Sequence, residues 1–344
     1  MGTVLLAAPR GFCAGVDRAI ETVEQALLRW GPPVYVRNQI VHNTHVVREL
    51  ASRGAVFVST LENVPEGSTV VFSAHGVAPA VYAQAEARRL NIVDATCPLV
   101  AKVHQEVRRY ARHGYEIALV GHAGHEEIEG TRGEAQDRVQ VVGSPEEAAR
   151  LEVQDESKVV WLSQTTLAVD DVADTVRSLR ARLPLLQDPP GDDICYASQN
   201  RQDAIRAIAE KCDLLLVIGS ANSSNSARLA EVALRAGAGA AYLIDDASYL
   251  EDGWFAGVET IGVTAGASAP ESRVGELVTD LATRGYDHVE QVETTEERIH
   301  FSLPRKLDPK RLTPGAVEQV PDPDGQTSPS ASAAPLRVEE GPDG

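Results

Sequence analysis

The sequence predicts an α/β fold of three similar lobes, each a parallel sheet wound with helices, set in a pseudo-threefold arrangement. Three observations carry that expectation. Cys13, Cys97 and Cys195 recur at comparable intervals, each after a short strand-like run and directly before an amphipathic helical pattern. Apolar runs of four or five residues alternate with helical stretches, the pattern of strands buried on both faces of a parallel sheet. Two of these runs in each lobe end in small polar residues, at the carboxyl ends where such sheets gather their ligands.

Lobe one is taken as residues 1–97. It opens on the apolar run 4–8, passes Gly11-Phe12-Cys13-Ala14-Gly15 and continues into a helix expected over 16–30. Strands are expected at 34–36, 56–58 and 70–72, with polar tips Val41-His42-Asn43 and Ser73-Ala74-His75-Gly76, before the run 91–96 leads into Cys97. Lobe two, residues 98–195, repeats the order with a helix over 99–113 and strands at 117–120, 139–142 and 159–162. Its tips are 121–127 and Ser163-Gln164-Thr165-Thr166, and the run 192–194 leads into Cys195. Lobe three, residues 196–304, has a helix over 199–211, strands at 214–218, 242–244 and 261–263, tips at 219–226 and 264–268, and a C-terminal strand. Residues 305–344 form a tail, disordered from about 313, because a proline-rich stretch without apolar periodicity cannot repay the entropy of ordering.

A chain of 344 residues can bury the cores of two or three domains. Four widely spaced cysteines without a signal peptide suit a reducing cytoplasm better than a secreted disulfide framework. No apolar run is long enough to cross a membrane, and Leu6 occupies the position where a myristoylation signal needs Ser or Thr. With 50 acidic residues against 32 basic and a net charge of -18, a nucleic-acid partner is not expected.

A thiol in the first turn of a helix feels the positive end of the helix dipole, which favours the metal-binding thiolate. Three such thiolates brought together make an iron-sulfur or zinc site with one coordination position unfilled. Cys212, beside the strand 214–218, lies outside the repeated context and is read as structural. The tips add histidines, hydroxyls and amides suited to an anionic ligand. His122 and His104 are read as ordinary turn residues.

Seven ordered motifs go further. Ala8-Pro9-Arg10-Gly11-Phe12-Cys13-Ala14-Gly15-Val16, Ser73-Ala74-His75-Gly76, Asp94-Ala95-Thr96-Cys97-Pro98, Gly121-His122-Ala123-Gly124-His125, Gln164-Thr165-Thr166, Asn222-Ser223-Ser224-Asn225-Ser226 and Thr264-Ala265-Gly266-Ala267-Ser268 together resemble the 4-hydroxy-3-methylbut-2-enyl diphosphate reductase family, from about residue 4 to 304. The resemblance implies an oxidoreductase of non-mevalonate isoprenoid biosynthesis, with a central [4Fe-4S] cluster held by Cys13, Cys97 and Cys195. It implies removal of the substrate's allylic hydroxyl with two electrons and two protons, giving isopentenyl and dimethylallyl diphosphates. His42, His75, His125, Ser223, Ser224, Asn225 and Ser268 then hold the diphosphate, and Glu127 and Thr165 serve the proton. Glu126 stands between His125 and Glu127 where many relatives carry proline, but spacing and the following Ile128-Glu129-Gly130-Thr131 favour Glu127 as the matching carboxylate. Ferredoxin or flavodoxin, with its reductase, is the implied electron donor. An iron-sulfur dehydratase, or an iron-sulfur or zinc sensor without catalysis, remains the alternative to this reading.

Overall fold

In the computed structural model, the described residues are 2–307. The expected tail from 313 lies outside them.

The chain begins with β1 (Thr3–Ala8) and α1 (Ala14–Trp30). Four strands of one parallel sheet follow, β2 (Val34–Arg37), β3 (Ala55–Val58), β4 (Thr69–Phe72) and β5 (Asn91–Asp94), interleaved with α2 (Thr44–Ser52) and α3 (Pro79–Ala87). Then come α4 (Pro98–Arg112), β6 (Glu116–Val120), α5 (Glu126–Arg132), β7 (Val139–Val142), α6 (Pro145–Ala148), β8 (Val159–Ser163) and α7 (Val169–Arg182). The last part holds α8 (Tyr196–Arg206), β9 (Leu214–Ile218), α9 (Ser224–Arg235), β10 (Ala241–Ile244), β11 (Thr260–Ala265), α10 (Glu271–Thr283) and β12 (His288–Glu293). All nine strands expected within the lobes form. Most of their apolar residues are buried, completely so in β4 and β9, while Val56 on β3 and Tyr242 on β10 stay exposed.

The three sheets share one order. In the first it is β3-β2-β4-β5, in the second β7-β6-β8, and in the third β10-β9-β11-β1-β12. Each therefore has its second strand at one edge, then its first, then its third. The position beyond the third strand is filled by the segment leading to the next cysteine: β5 before Cys97, a single bridge from Gln187 to Val160 before Cys195, and β1 before Cys13.

Two expectations need correction. The division at residue 97 places β1 with the first lobe, yet β1 pairs in register with β11 and β12 in the third sheet, and Leu5 and Ala7 pack in that lobe's core. The run 192–194 is not a strand. Pro189 and Pro190 have no N–H to offer a ladder, and the buried Asp193 carboxylate accepts the Ser163 N–H instead, at 3.0 Å.

Candidate active site

The helix starts place the three thiols. Cys13, Cys97 and Cys195 are the N-cap residues of α1, α4 and α8. Each backbone N–H donates to a carbonyl two residues past the end of a sheet's third strand: Cys13 to Ala267 at 3.3 Å, Cys97 to Ala74 at 2.9 Å and Cys195 to Thr165 at 3.0 Å. The thiols thus hang from equivalent points of the three sheets. They line one cavity of about 100 Å³ together with His42, His75, His125, Glu127, Thr165, Ser223, Ser224, Asn225 and Ser268. Residues from two strand tips of every sheet reach this cavity, so the carboxyl ends of all three sheets face a common centre.

The donor set fits a thiolate-held cluster. A Cβ added to Gly15, in the first turn of α1, would lie 2.7 Å from Cys97 Sγ and 3.8 Å from Cys13 Sγ, so glycine leaves the gap between two of the sulfurs open. Cys212 is remote from them, its Sγ donating to the Ile208 carbonyl within the core of the third lobe. Three soft sulfur ligands suit an iron-sulfur cluster or zinc. In the metal-free chain burial outweighs the helix ends: it holds the Cys13 thiol above its usual range against the pull of Arg201, and pushes Cys97 up to about 12 and Cys195 to about 11. The N–H groups at the helix starts pull each thiol toward thiolate as expected, but burial outweighs them until metal binds, so loading must drive the protons off.

The histidines form a second cluster beside the thiols. His42 stacks on His75 with ring centroids 4.0 Å apart, and His125 meets both edge-on at 5.3 and 5.8 Å. Burial, then the proximity of His75, holds His42 down to about 3 and His125 to about 4. His125 Nδ1 accepts the Glu127 N–H at 3.2 Å, so its proton sits on Nε2, which is buried without a partner among the described residues. Asn225 Nδ2 is likewise buried and unpaired. Native proteins seldom leave such donors unsatisfied, and these two line the cavity, available to a ligand. Ser223 caps α9 by accepting the Ser226 N–H, and Ser268 Oγ donates to the His42 carbonyl at 2.9 Å, binding the first lobe to the third.

The two adjacent carboxylates separate in space. Glu127 is 2% exposed, its Oε1 accepting the Thr165 N–H at 2.7 Å and its Oε2 accepting the Thr165 hydroxyl at 3.0 Å. Burial raises its pKa against those bonds. Glu126 turns toward His75, with Oε2 3.3 Å from Nδ1; burial alone would raise its pKa, but the histidine contacts outweigh it and the carboxyl is held below its usual range. His42, His75 and Glu126 bring possible metal ligands within 4.8 Å of one another, but these groups already pair among themselves. His122 and His104 stand outside the cavity, the first against Arg228 and the second against Glu134. Gln164, within the Gln164-Thr165-Thr166 motif, bridges the second and third lobes, accepting the His122 N–H and donating to Thr166 and Ser224.

A family model described as LytB protein matches residues 4–282. The chain belongs to the LytB family. Among curated LytB relatives, the 4-hydroxy-3-methylbut-2-enyl diphosphate reductase of Leifsonia xyli subsp. xyli is 61% identical over 304 residues, 88% of this chain and 90% of that one. The reductase of the same name from Mycobacterium ulcerans is 60% identical over 308 residues, 90% and 93% of the two chains. The LytB fold is matched by the solved E-1-hydroxy-2-methyl-but-2-enyl-4-diphosphate reductase from Plasmodium falciparum, with a TM-score of 0.86 and 36% identity across 89% of this chain and 96% of that one. A solved (E)-4-hydroxy-3-methyl-but-2-enyl diphosphate reductase, described as the terminal enzyme of the non-mevalonate pathway, matches with a TM-score of 0.58 and 31% identity over 82% of this chain and 100% of that one.

Proposed function

We infer that this chain is a 4-hydroxy-3-methylbut-2-enyl diphosphate reductase, converting its substrate with two electrons and two protons to isopentenyl or dimethylallyl diphosphate and water. The observation that carries the reading is the meeting, in one cavity, of three thiols from three lobes with an enclosed carboxyl and buried donors that have no protein partner. Cys13, Cys97 and Cys195 would hold a [4Fe-4S] cluster. When bound, that cluster supplies electrons one at a time and offers one iron that no protein ligand fills.

The chain's own residues do the rest. His125 Nε2–H, Asn225 Nδ2 and the hydroxyls of Ser223 and Ser224 donate to the diphosphate, Ser268 holds the His42 backbone beside them, and the ligand's charge draws protons onto His42 and His125. The substrate's far end is thereby fixed, turning its carbon–oxygen bond toward the thiols. A protonated Glu127 donates from Oε2 to Thr165 Oγ1, which frees the threonine proton to pass to the leaving hydroxyl oxygen. The oxygen then leaves as water rather than hydroxide.

Small reducing carriers of the ferredoxin or flavodoxin class, with their reductase, are the proposed electron source. A reducing cytoplasm is the proposed location, consistent with four free cysteines. Among the described residues, no helix is long and apolar enough to cross a membrane. Anaerobic reconstitution followed by assay with 4-hydroxy-3-methylbut-2-enyl diphosphate tests the reading. A brown protein whose turnover requires added reductant supports it. Turnover independent of reductant indicates a dehydratase, and a colourless zinc-loaded chain without turnover indicates a sensor.

A further inference from the structure

The helix that each cysteine opens carries a cation in its second turn, and that cation reaches around to the next lobe. Arg18, on α1 after Cys13, donates from Nη1 to the carbonyls of Ala95 and Thr96 at 3.0 and 2.9 Å, immediately before Cys97. Lys102, on α4 after Cys97, donates from Nζ to the Asp192 carbonyl at 2.8 Å and lies 3.4 Å from Asp193 Oδ1, just before Cys195. Arg201, on α8 after Cys195, donates from Nε and Nη2 to the Gly11 carbonyl at 3.1 and 2.7 Å and from Nη2 to that of Phe12 at 3.2 Å, immediately before Cys13. Three contacts of one kind run in one direction and close on themselves.

The need to satisfy stray carbonyls explains any one of these contacts but not their cyclic order. We infer that Arg18, Lys102 and Arg201 are positioning residues forming a ring clamp, each fixing the segment that ends in the next lobe's cysteine. The three thiols are thereby held at one spacing before a metal arrives, and a positive charge stays near the centre. This rests on the reading of the three cysteines as metal ligands. The links differ in depth: the Arg201 side chain is fully buried, whereas that of Lys102 is 36% exposed. A buried guanidinium with several carbonyl and carboxylate partners fixes its neighbours more firmly than a half-exposed ammonium does. Arg201 also accounts for the strongest favourable charge acting on the Cys13 thiol, and Arg18 and the Cys97 thiol feel one another.

The test titrates the full chain, freed of iron and kept anaerobic, with Cd2+ and reads cadmium–thiolate absorption. Wild type should show three thiolates per metal. Losing a charge-assisted hydrogen bond should weaken Cd2+ binding about tenfold in Arg18→Met and about threefold in Lys102→Met, with melting temperatures near wild type. Arg206→Met removes a cation from the same helix as Arg201, one paired among the described residues with Asp170 and Asp203, and should bind Cd2+ like wild type. After reconstitution, the reduction potentials of Arg18→Met and Lys102→Met should lie below that of wild type, and Arg18→Lys should recover most of the difference. Arg201→Lys, which keeps the charge and loses the fork, should fall between wild type and Arg201→Met in affinity. Wild-type affinity and potential in both Arg18→Met and Lys102→Met would overturn the clamp. Fewer than three thiolates in the wild type would overturn the metal reading itself, and that result involves no variant.

Discussion

Glu127 shows how neighbours in sequence take different tasks. One carboxylate is enclosed against Thr165 and the other is drawn to His75. An amide at 127 can still accept the Thr165 N–H and donate to Thr165 Oγ1, so Glu127→Gln keeps shape while removing the acid. Stopped-flow assays under saturating reductant should show kcat lower by about a hundredfold or more in Glu127→Gln, less lowered in Thr165→Val and little changed in Glu126→Gln, with iron content intact in all three. Comparable kcat in Glu127→Gln and wild type would move the acid elsewhere. The histidines make a second residue-scale prediction. Before a ligand binds, burial and crowding keep His42 and His125 neutral, at about 3 and about 4. A bound diphosphate raises those values, so binding takes up protons and affinity falls as pH rises through the bound-state range. Calorimetry in buffers of unlike ionisation heat, with reductant withheld, should register proton uptake near about pH 6 to 7. No uptake there would leave binding to hydroxyls and amides. Residue types and motif order made these groups legible in the sequence, and spacing already favoured Glu127; that Glu126 turns instead toward His75 depends on the backbone of α5.

At the scale of elements, the helices following the three cysteines were the most legible feature, because amphipathic periodicity and a helix start coincide there three times. The structure places the starts within three residues of expectation and makes each cysteine the cap. The run before Cys195 misled because its place before a cysteine matched the other lobes, although Asp192-Asp193-Ile194 follows two prolines and offers a carboxylate where a strand offers its backbone. The cations of the clamp, five or six residues beyond each cysteine, were present in the sequence but carried no motif signal of their own. Gly15 is the element-scale test. In α1 alanine improves helix propensity, yet its Cβ would press on Cys97 Sγ. Gly15→Ala should leave circular dichroism and melting of the metal-free chain unchanged or slightly better while lowering iron per chain severalfold after reconstitution. Full iron occupancy would mean the sulfurs have room to move.

Across the whole molecule the same sheet is built three times, and the chain's first strand completes the last one. That closure was not legible because periodicity reports burial, not partners. The pairing of β1 with β11 joins residues at opposite ends of the described chain, whereas β2 to β5 pair locally. Closure makes the cysteine segments equivalent: each extends from the far side of one sheet and starts the next lobe's first helix. The account's central claim is that one thiol from each lobe builds a single metal centre, with the fourth cysteine serving only the core. Iron per chain after anaerobic reconstitution of Cys13→Ser, Cys97→Ser, Cys195→Ser and Cys212→Ser measures this directly. The account predicts that the first three lose most of their iron and all turnover while Cys212→Ser matches wild type. Loss of iron in Cys212→Ser, with any of the other three still fully loaded, would contradict it.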